Sequence, residues 1–295
     1  MPNEPSAAQR HAADAVTPSF TDDERAQAHE RCRAHRRRIL EVSQRLDALH
    51  VGPAFSCIEI VDAIYSAWMD APVDGKDTFI LSKGHGAMAQ YAVLESQGVL
   101  DPADVDRISQ SGSSIGGHPD RGVPGIVVSS GSLGHGLPLA LGIARAQREL
   151  NEDGRVFVVM SDGELMEGSV WEALLLGPSM GLDAVTVVID HNGSISRGHI
   201  VNVQPNLLPV AGKLEAFGWV TREVDGHDWV AVAEALRPAG GPLAVVARTV
   251  KGKGVSYMED EPIWAYRSPS PQEYAQALEE LAIPVGSRQG GEEHA

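Results

Sequence analysis

Residues 161–193 read SDGELMEGSVWEALLLGPSMGLDAVTVVIDHNG, and this stretch with its flanks decides the fold. Just before it, Val156 to Met160 is an unbroken apolar run, too short for a helix and suited to a parallel strand covered on both faces. Asp162 follows at the carboxyl end of that run. Leu165, Met166, Val170, Trp171, Leu174 and Leu175 then recur at helical spacing, and Gly177 with Pro178 begins to close the helix. Ala184 to Ile189 forms a second apolar strand, so the unit is βαβ. A right-handed crossover returns the second strand parallel to the first and opens both carboxyl ends on one edge of the sheet, where doubly wound folds bind ligands. Asp162 and Asn192 are thereby placed to face one ion. A carboxylate and an amide oxygen are hard ligands that suit Mg²⁺, which takes its remaining ligands from water and phosphates. Acidic residues also close ordinary strands of α/β proteins, and the spacing alone leaves both readings open.

Working outward, the pattern predicts an α/β fold, a doubly wound, mostly parallel sheet with helices on both faces. A chain of 295 residues, 43% hydrophobic, can bury one large core or two modest ones. We expect one domain over residues 22–281, a flexible extension over 1–21 and a flexible tail over 282–295, because both ends lack apolar periodicity. Asp22 to Leu49 reads as a long helix whose run Arg36, Arg37, Arg38 suits a solvated face or a partner contact. Ser56 and Glu59 have the spacing of a capping box for a helix carrying Ile60, Ile64 and Trp68. Thr78 to Leu81 reads as a short strand, and Gly131 to Gly136 precede a helix through Leu150. The net charge of −16 argues against a nucleic-acid surface. Cys32 and Cys57 have neither metal nor redox spacing and read as packed thiols, and with no signal peptide or long apolar span we expect a cytoplasmic setting.

Asp162, Gly163, a gap of 28 residues and then Asn192 resemble the thiamine diphosphate motif, and the neighbouring segments resemble the amino-terminal half of transketolases. These are LSKGHGAMAQY (Leu81 to Tyr91), GGHPDRGVPGI (Gly116 to Ile126), SSGSLGHGL (Ser129 to Leu137), DGHD (Asp225 to Asp228) and KGKGVSYMED (Lys251 to Asp260). They keep the family's order and approximate spacing over residues 25 to 280. The resemblance implies a thiamine diphosphate-binding fold with Mg²⁺ on Asp162, Asn192 and the backbone carbonyl of Ser194. It further implies cofactor contacts at His85, Gly131, Ser132, Leu133, Gly163, Glu164 and Asn192. Independently of it, the Gly131 to Gly134 loop has no bulky side chains at a helix start, where a flat ring can approach backbone, or where a plain glycine turn can cap a helix.

His50, His85 and His118 resemble the family's three early active-site histidines, which contact the diphosphate and substrate hydroxyls and transfer protons. Imidazole suits these tasks because it donates and accepts near neutral pH. His50 sits in LHVGPAFS, where Leu49 and Val51 change the family's usual surroundings. Glu167 and Glu172 resemble glutamates near the family's subunit interface, although glutamates early in a helix also answer its dipole.

Departures from the family carry information too. Where transketolases have Trp-His-Gly after KGKG, this chain has Trp264, Ala265, Tyr266. Alanine neither donates a hydrogen bond nor moves a proton, so Tyr266 or Arg267 takes part of that role or the substrate differs. His135 and Ser161 are milder changes. The chain also ends about where the family's pyrimidine-binding domain begins, and that domain supplies the glutamate that activates the cofactor. The resemblance therefore implies one subunit of a split transketolase-like enzyme, paired with a separate carboxyl-terminal subunit in an α2β2 heterotetramer. It would transfer a two-carbon ketol or related acyl-anion unit from a ketose or 2-oxoacid to an aldehyde. Rival readings are the α subunit of a 2-oxoacid dehydrogenase and a noncatalytic regulatory subunit that retains the fold.

Overall fold

The computed structural model describes residues 20–46, 48–196 and 198–282, so most of the expected extension and tail lies outside the described residues. The strands are β1 (Thr78–Leu81), β2 (Val156–Ser161), β3 (Val185–His191), β4 (Ser194–Ile195), β5 (Gly198–His199), β6 (Val220–Asp225) and β7 (Leu243–Arg248). Five of them form one sheet in the order β1-β2-β3-β7-β6, every pair parallel, while β4 and β5 make a small antiparallel ribbon.

The apolar strands are buried on both faces, as their composition requires. Successive side chains of a strand point to opposite sides. Phe157 and Val159 of β2 accordingly join Val188, Val245 and Ala247 in one core, whereas Val156, Val158 and Met160 join Val187, Ile189 and Val246 in the other. Helices Asp22–Ser43, Ile58–Ala67, Ala87–Ser96, Trp229–Ala235 and Pro271–Ala282 cover the first face. Gly136–Leu150, Gly168–Ser179 and Val210–Ala216 cover the second. The doubly wound α/β expectation holds.

Three local expectations do not. The first helix spans Asp22–Ser43, opened by a Thr21/Glu24 capping box, and stops short of Leu49 because the chain turns at Gln44 to bring buried Leu49 and His50 back toward the sheet. Of the run Arg36, Arg37, Arg38, the first does not face solvent and the other two are half-buried. Arg36 is buried, gripping Glu59 with both terminal nitrogens (2.5 and 2.8 Å) and the Phe55 carbonyl at 3.0 Å, while Arg38 pairs with Glu95 and Asp106. Ser56 and Glu59 form no capping box either: Cys57 takes the cap position without a side-chain bond, and Ser56 Oγ donates to Asp190 at 2.7 Å. Tertiary partners outcompete the local pattern in both cases.

Cys32 and Cys57 are free, buried thiols, and burial pushes Cys57 up to about 12. Among the described residues no helix is long and apolar enough to cross a membrane.

Candidate cofactor site at the carboxyl edge of the sheet

Register places the first group. Ser161 of β2 lies opposite Asp190 of β3, so Asp162 and the residues after Asp190 leave adjacent parallel strands together. Asp162 is fully buried; its Oδ1 accepts from Gly163 N at 2.8 Å, and its Oδ2 accepts from Gly193 N at 2.7 Å and His191 Nδ1 at 2.8 Å. That bond to Asp162 holds the His191 imidazole above its usual range. The Asn192 amide donates to Ser56 Oγ at 3.0 Å and Asp190 Oδ2 at 3.3 Å, and its oxygen accepts from Ser194 N at 2.9 Å. Ser194 Oγ is buried without a hydrogen-bond partner. Among the described residues no group of three or more His, Cys, Asp or Glu side chains could hold a metal. A donor set of one carboxylate, one amide and a backbone carbonyl suits a hard cation that shares its ligand sphere with water and phosphate, and fits Mg²⁺ better than a transition metal.

The glycine loop lies alongside. Gly131 adopts φ +139°, and a Cβ there would stand 3.1 Å from the His118 ring. A Cβ on Gly84 would meet Gly131 N at 2.7 Å, so two bare backbones are in contact where the β1 turn meets the loop. Ser132 is exposed, Leu133 is half-buried, and the Gly134 N–H donates to Glu164 Oε1 at 2.8 Å. Gly163 and Glu164 are buried, and Glu164 also accepts from Ser82 Oγ, leaving its Oε2 buried and unpartnered. Burial raises the Glu164 carboxyl. Its hydrogen bonds brace the glycine loop from beneath.

The three histidines meet. The His50 ring lies 5.7 Å from that of His118 and 6.4 Å from that of His85, centroid to centroid. His50 Nδ1 donates to the Ala265 carbonyl, which leaves Nε2 as the acceptor. Burial lowers His50 and pushes His85 well below its usual range, with the nearby Lys83, Lys251 and histidine charges adding to the effect. Both are therefore neutral near pH 7. Of the two candidates to replace the missing histidine, Tyr266 reaches the cluster, its ring 5.3 Å from that of His50. Arg267 does not: it pairs with Glu273 and lies 4.5 Å over the Trp264 ring. His135 is exposed.

Two lysines escape the sequence reading. Lys83, within SKGH, is fully buried and paired with Asp190. Lys251, the first residue of KGKG, is 5% exposed and sits where its charge acts on His50, His85, Asp190 and Asp162. Burial and the Lys83 charge lower it to about 8. The motif itself is the available signal for both. Glu167, the cap of the helix Gly168–Ser179, packs against the glycine loop, its Cβ 2.7 Å from where a Cβ on Gly134 would stand; it and Glu172 are exposed, and Glu172 shares a helix face with exposed Leu175 and Leu176.

Comparison with known proteins decides the family. The profile of the transketolase thiamine diphosphate-binding domain matches residues 29–262. The chain belongs to that family. Among transketolase relatives, it is 34% identical to an apulose-4-phosphate transketolase subunit of Phocaeicola vulgatus over 84% of this chain and 91% of that protein. It is also 34% identical to the 6-deoxy-6-sulfo-D-fructose transketolase subunit SqwG of a Clostridium species, over 76% of this chain and 85% of that one. The solved transketolase from Leishmania mexicana superposes with a TM-score of 0.79 at 26% identity, covering 86% of this chain. This chain spans 41% of the Leishmania transketolase. The family match over residues 29–262 spans every strand from β1 to β7.

Proposed function

We propose that this chain is the diphosphate- and Mg²⁺-binding subunit of a two-component, thiamine diphosphate-dependent transketolase-like enzyme. In this reading it acts in the cytoplasm, moving a two-carbon ketol unit from a ketose or 2-oxoacid to an aldehyde. Residues 22–281 form its one domain, and a separate subunit supplies the pyrimidine-binding domain and its glutamate in an α2β2 assembly. What supports this is that Asp162 and Asn192 leave the carboxyl ends of adjacent parallel strands, that His50, His85 and His118 cluster, and that Lys251 lies close enough to act on both groups. Relatives named as subunits of transketolases, matched over most of their length, support it. So does the exposed face of Glu172, Leu175 and Leu176, which suits a partner contact near Glu167.

In this reading Asp162, the Asn192 amide oxygen and the Ser194 carbonyl hold Mg²⁺, and Lys251 offsets the diphosphate charge. Gly131, Ser132 and Leu133 offer a flat approach to the cofactor rings, with Gly163 and Glu164 supporting that wall. When bound, thiamine diphosphate supplies the electron sink that lets a carbon–carbon bond beside a carbonyl be broken and remade. His50 presents a neutral Nε2 that can accept a proton or a hydroxyl hydrogen bond, oriented by its bond to Ala265. His85, neutral beside it, hydrogen-bonds without adding charge, and His118 lines the same cluster. Tyr266 walls the place where the family's histidine would stand.

The deciding experiment mixes this chain with a candidate partner carrying a pyrimidine domain and assays ketol transfer from a ketose or hydroxypyruvate to an aldehyde. Transfer should require both chains, thiamine diphosphate and Mg²⁺. Turnover that instead requires a lipoyl acceptor would overturn the proposal.

The lowered pKa of Lys251 gives a pH signature. A lysine depressed to about 8 destabilises the folded chain while it is charged in both states, and that cost is relieved as pH rises from about 8 toward the unfolded value of 10.5. A bound diphosphate favours the charged form and raises the pKa again, so binding near pH 8.5 should take up protons. Calorimetry in buffers of different ionisation enthalpy measures this, and the same uptake in Lys251→Met would rule out the assignment.

A further inference from the structure

We propose that the buried Lys83–Asp190 ion pair is a positioning device that fixes the Asn192 side chain with its oxygen, and not its nitrogen, turned to the cation. The inference rests on Asn192 as a Mg²⁺ ligand. Asp190 stands two residues before Asn192, fully buried, with both oxygens saturated. Its Oδ1 accepts from Ser56 Oγ at 2.7 Å and from Thr249 Oγ1, and its Oδ2 accepts from Lys83 Nζ and from Asn192 Nδ2 at 3.3 Å. Lys83 has no exposed surface and donates also to the Pro53 carbonyl at 3.0 Å.

The chemistry dictates the amide's orientation. An ionised carboxylate can only accept, so the edge of Asn192 that faces it must be the NH₂. Ser56 enforces the same choice. Its single proton goes to Asp190, so toward Asn192 it can only accept, which it does at 3.0 Å. The amide oxygen is left on the far side, on the turn where it accepts from Ser194 N at 2.9 Å and where Gly193 N reaches Asp162. Lys83 is the counter-charge that a buried carboxylate needs to act as an obligate acceptor. Because Lys83 leads directly into the turn bearing His85, the same pair ties the histidine cluster to the cation loop. Buried ion pairs add little net stability relative to well-packed neutral replacements. A positioning role gives this one a purpose that stability does not.

The test uses the full chain together with its partner and follows Mg²⁺-dependent thiamine diphosphate binding. The double variant Lys83→Met/Asp190→Asn is neutral and close in shape. The asparagine introduced in place of Asp190 accepts from Ser56 and Thr249 through its oxygen and so turns its own NH₂ toward Asn192, which must rotate to avoid it. The half-saturating Mg²⁺ concentration should rise at least about 10-fold, as for the loss of an outer-shell partner, while saturating Mg²⁺ restores full cofactor binding. The thermal midpoint without ligands should stay within a few degrees of wild type, a combination that a merely structural role would not give. Ser56→Ala keeps the ion pair, removes one acceptor from Asn192 and should raise the Mg²⁺ requirement in the same direction by less. If the double variant fails to fold, Ser56→Ala decides alone. Wild-type Mg²⁺ half-saturation in these variants overturns the positioning role and leaves the cation site standing. Absence of Mg²⁺-dependent binding in the wild type removes the site and this inference together.

Discussion

Asp162→Ala is expected to abolish Mg²⁺-dependent binding of thiamine diphosphate. Asp162 is the one carboxylate among the proposed ligands, and the amide and carbonyl oxygens that remain carry no charge to oppose a divalent ion. Losing an outer-shell partner costs roughly 10–100-fold in metal affinity, and loss of the charged ligand should exceed that. The substitution also frees Gly193 N and His191, both of which bond Asp162 Oδ2, so the turn carrying Asn192 loses its anchor. With that bond gone, the His191 pKa should fall, a shift that NMR titration reads even without metal. Calorimetric titration of cofactor with and without Mg²⁺ is the direct measurement. Near-normal affinity would refute the assignment of the site.

Arg36→Met should be among the most destabilising single changes in the chain. It leaves the buried Glu59 carboxylate with His227 as its remaining hydrogen-bond partner, and breaking a buried pair from one side costs about 3–5 kcal/mol. In the native chain burial would raise Glu59, but Arg36 and His227 outweigh it and hold the carboxyl at about 2. The sign follows. A carboxyl depressed from 4.5 to about 2 contributes stability that is present above 4.5 and lost as pH falls toward 2. Without Arg36 the folded carboxyl rises from about 2, so less of that acid-labile stability is left to lose, and the penalty of the substitution shrinks as the medium is acidified. Urea unfolding at pH 7 and pH 4.5 should show the larger gap between variant and native chain at pH 7. Equal gaps would mean that Glu59 does not sense Arg36.

What the sequence reveals and what it hides follow from the range of the interactions. The β2 to β3 unit is legible because a short apolar run buried on both faces has few alternatives, and its strand ends place Asp162 and Asn192 by topology alone. The histidine cluster is legible through family resemblance, since His50, His85 and His118 come from separate segments that no local pattern joins. Arg36 misleads because a charge run suggests solvent, whereas its partner Glu59 lies on another helix. Ser56 and Glu59 mislead because their spacing satisfies a capping rule while stronger partners sit across the fold. Lys83 lies within a recognisable motif, yet nothing local marks it as half of an ion pair. Its meaning depends on Asp190, which only the parallel sheet brings beside it.

The polar bonds that organise the site run far along the chain: His50 to Ala265 spans 215 residues, Ser56 to Asp190 spans 134 and Lys83 to Asp190 spans 107. Contacts of such separation repay their loop-closure entropy late in folding. The last strand of the sheet ends at Arg248, yet the carbonyl that orients His50 lies beyond it at Ala265. A nascent chain can therefore complete its sheet before it can complete its site, and cofactor affinity becomes a reporter of full-length folding that secondary structure alone would miss.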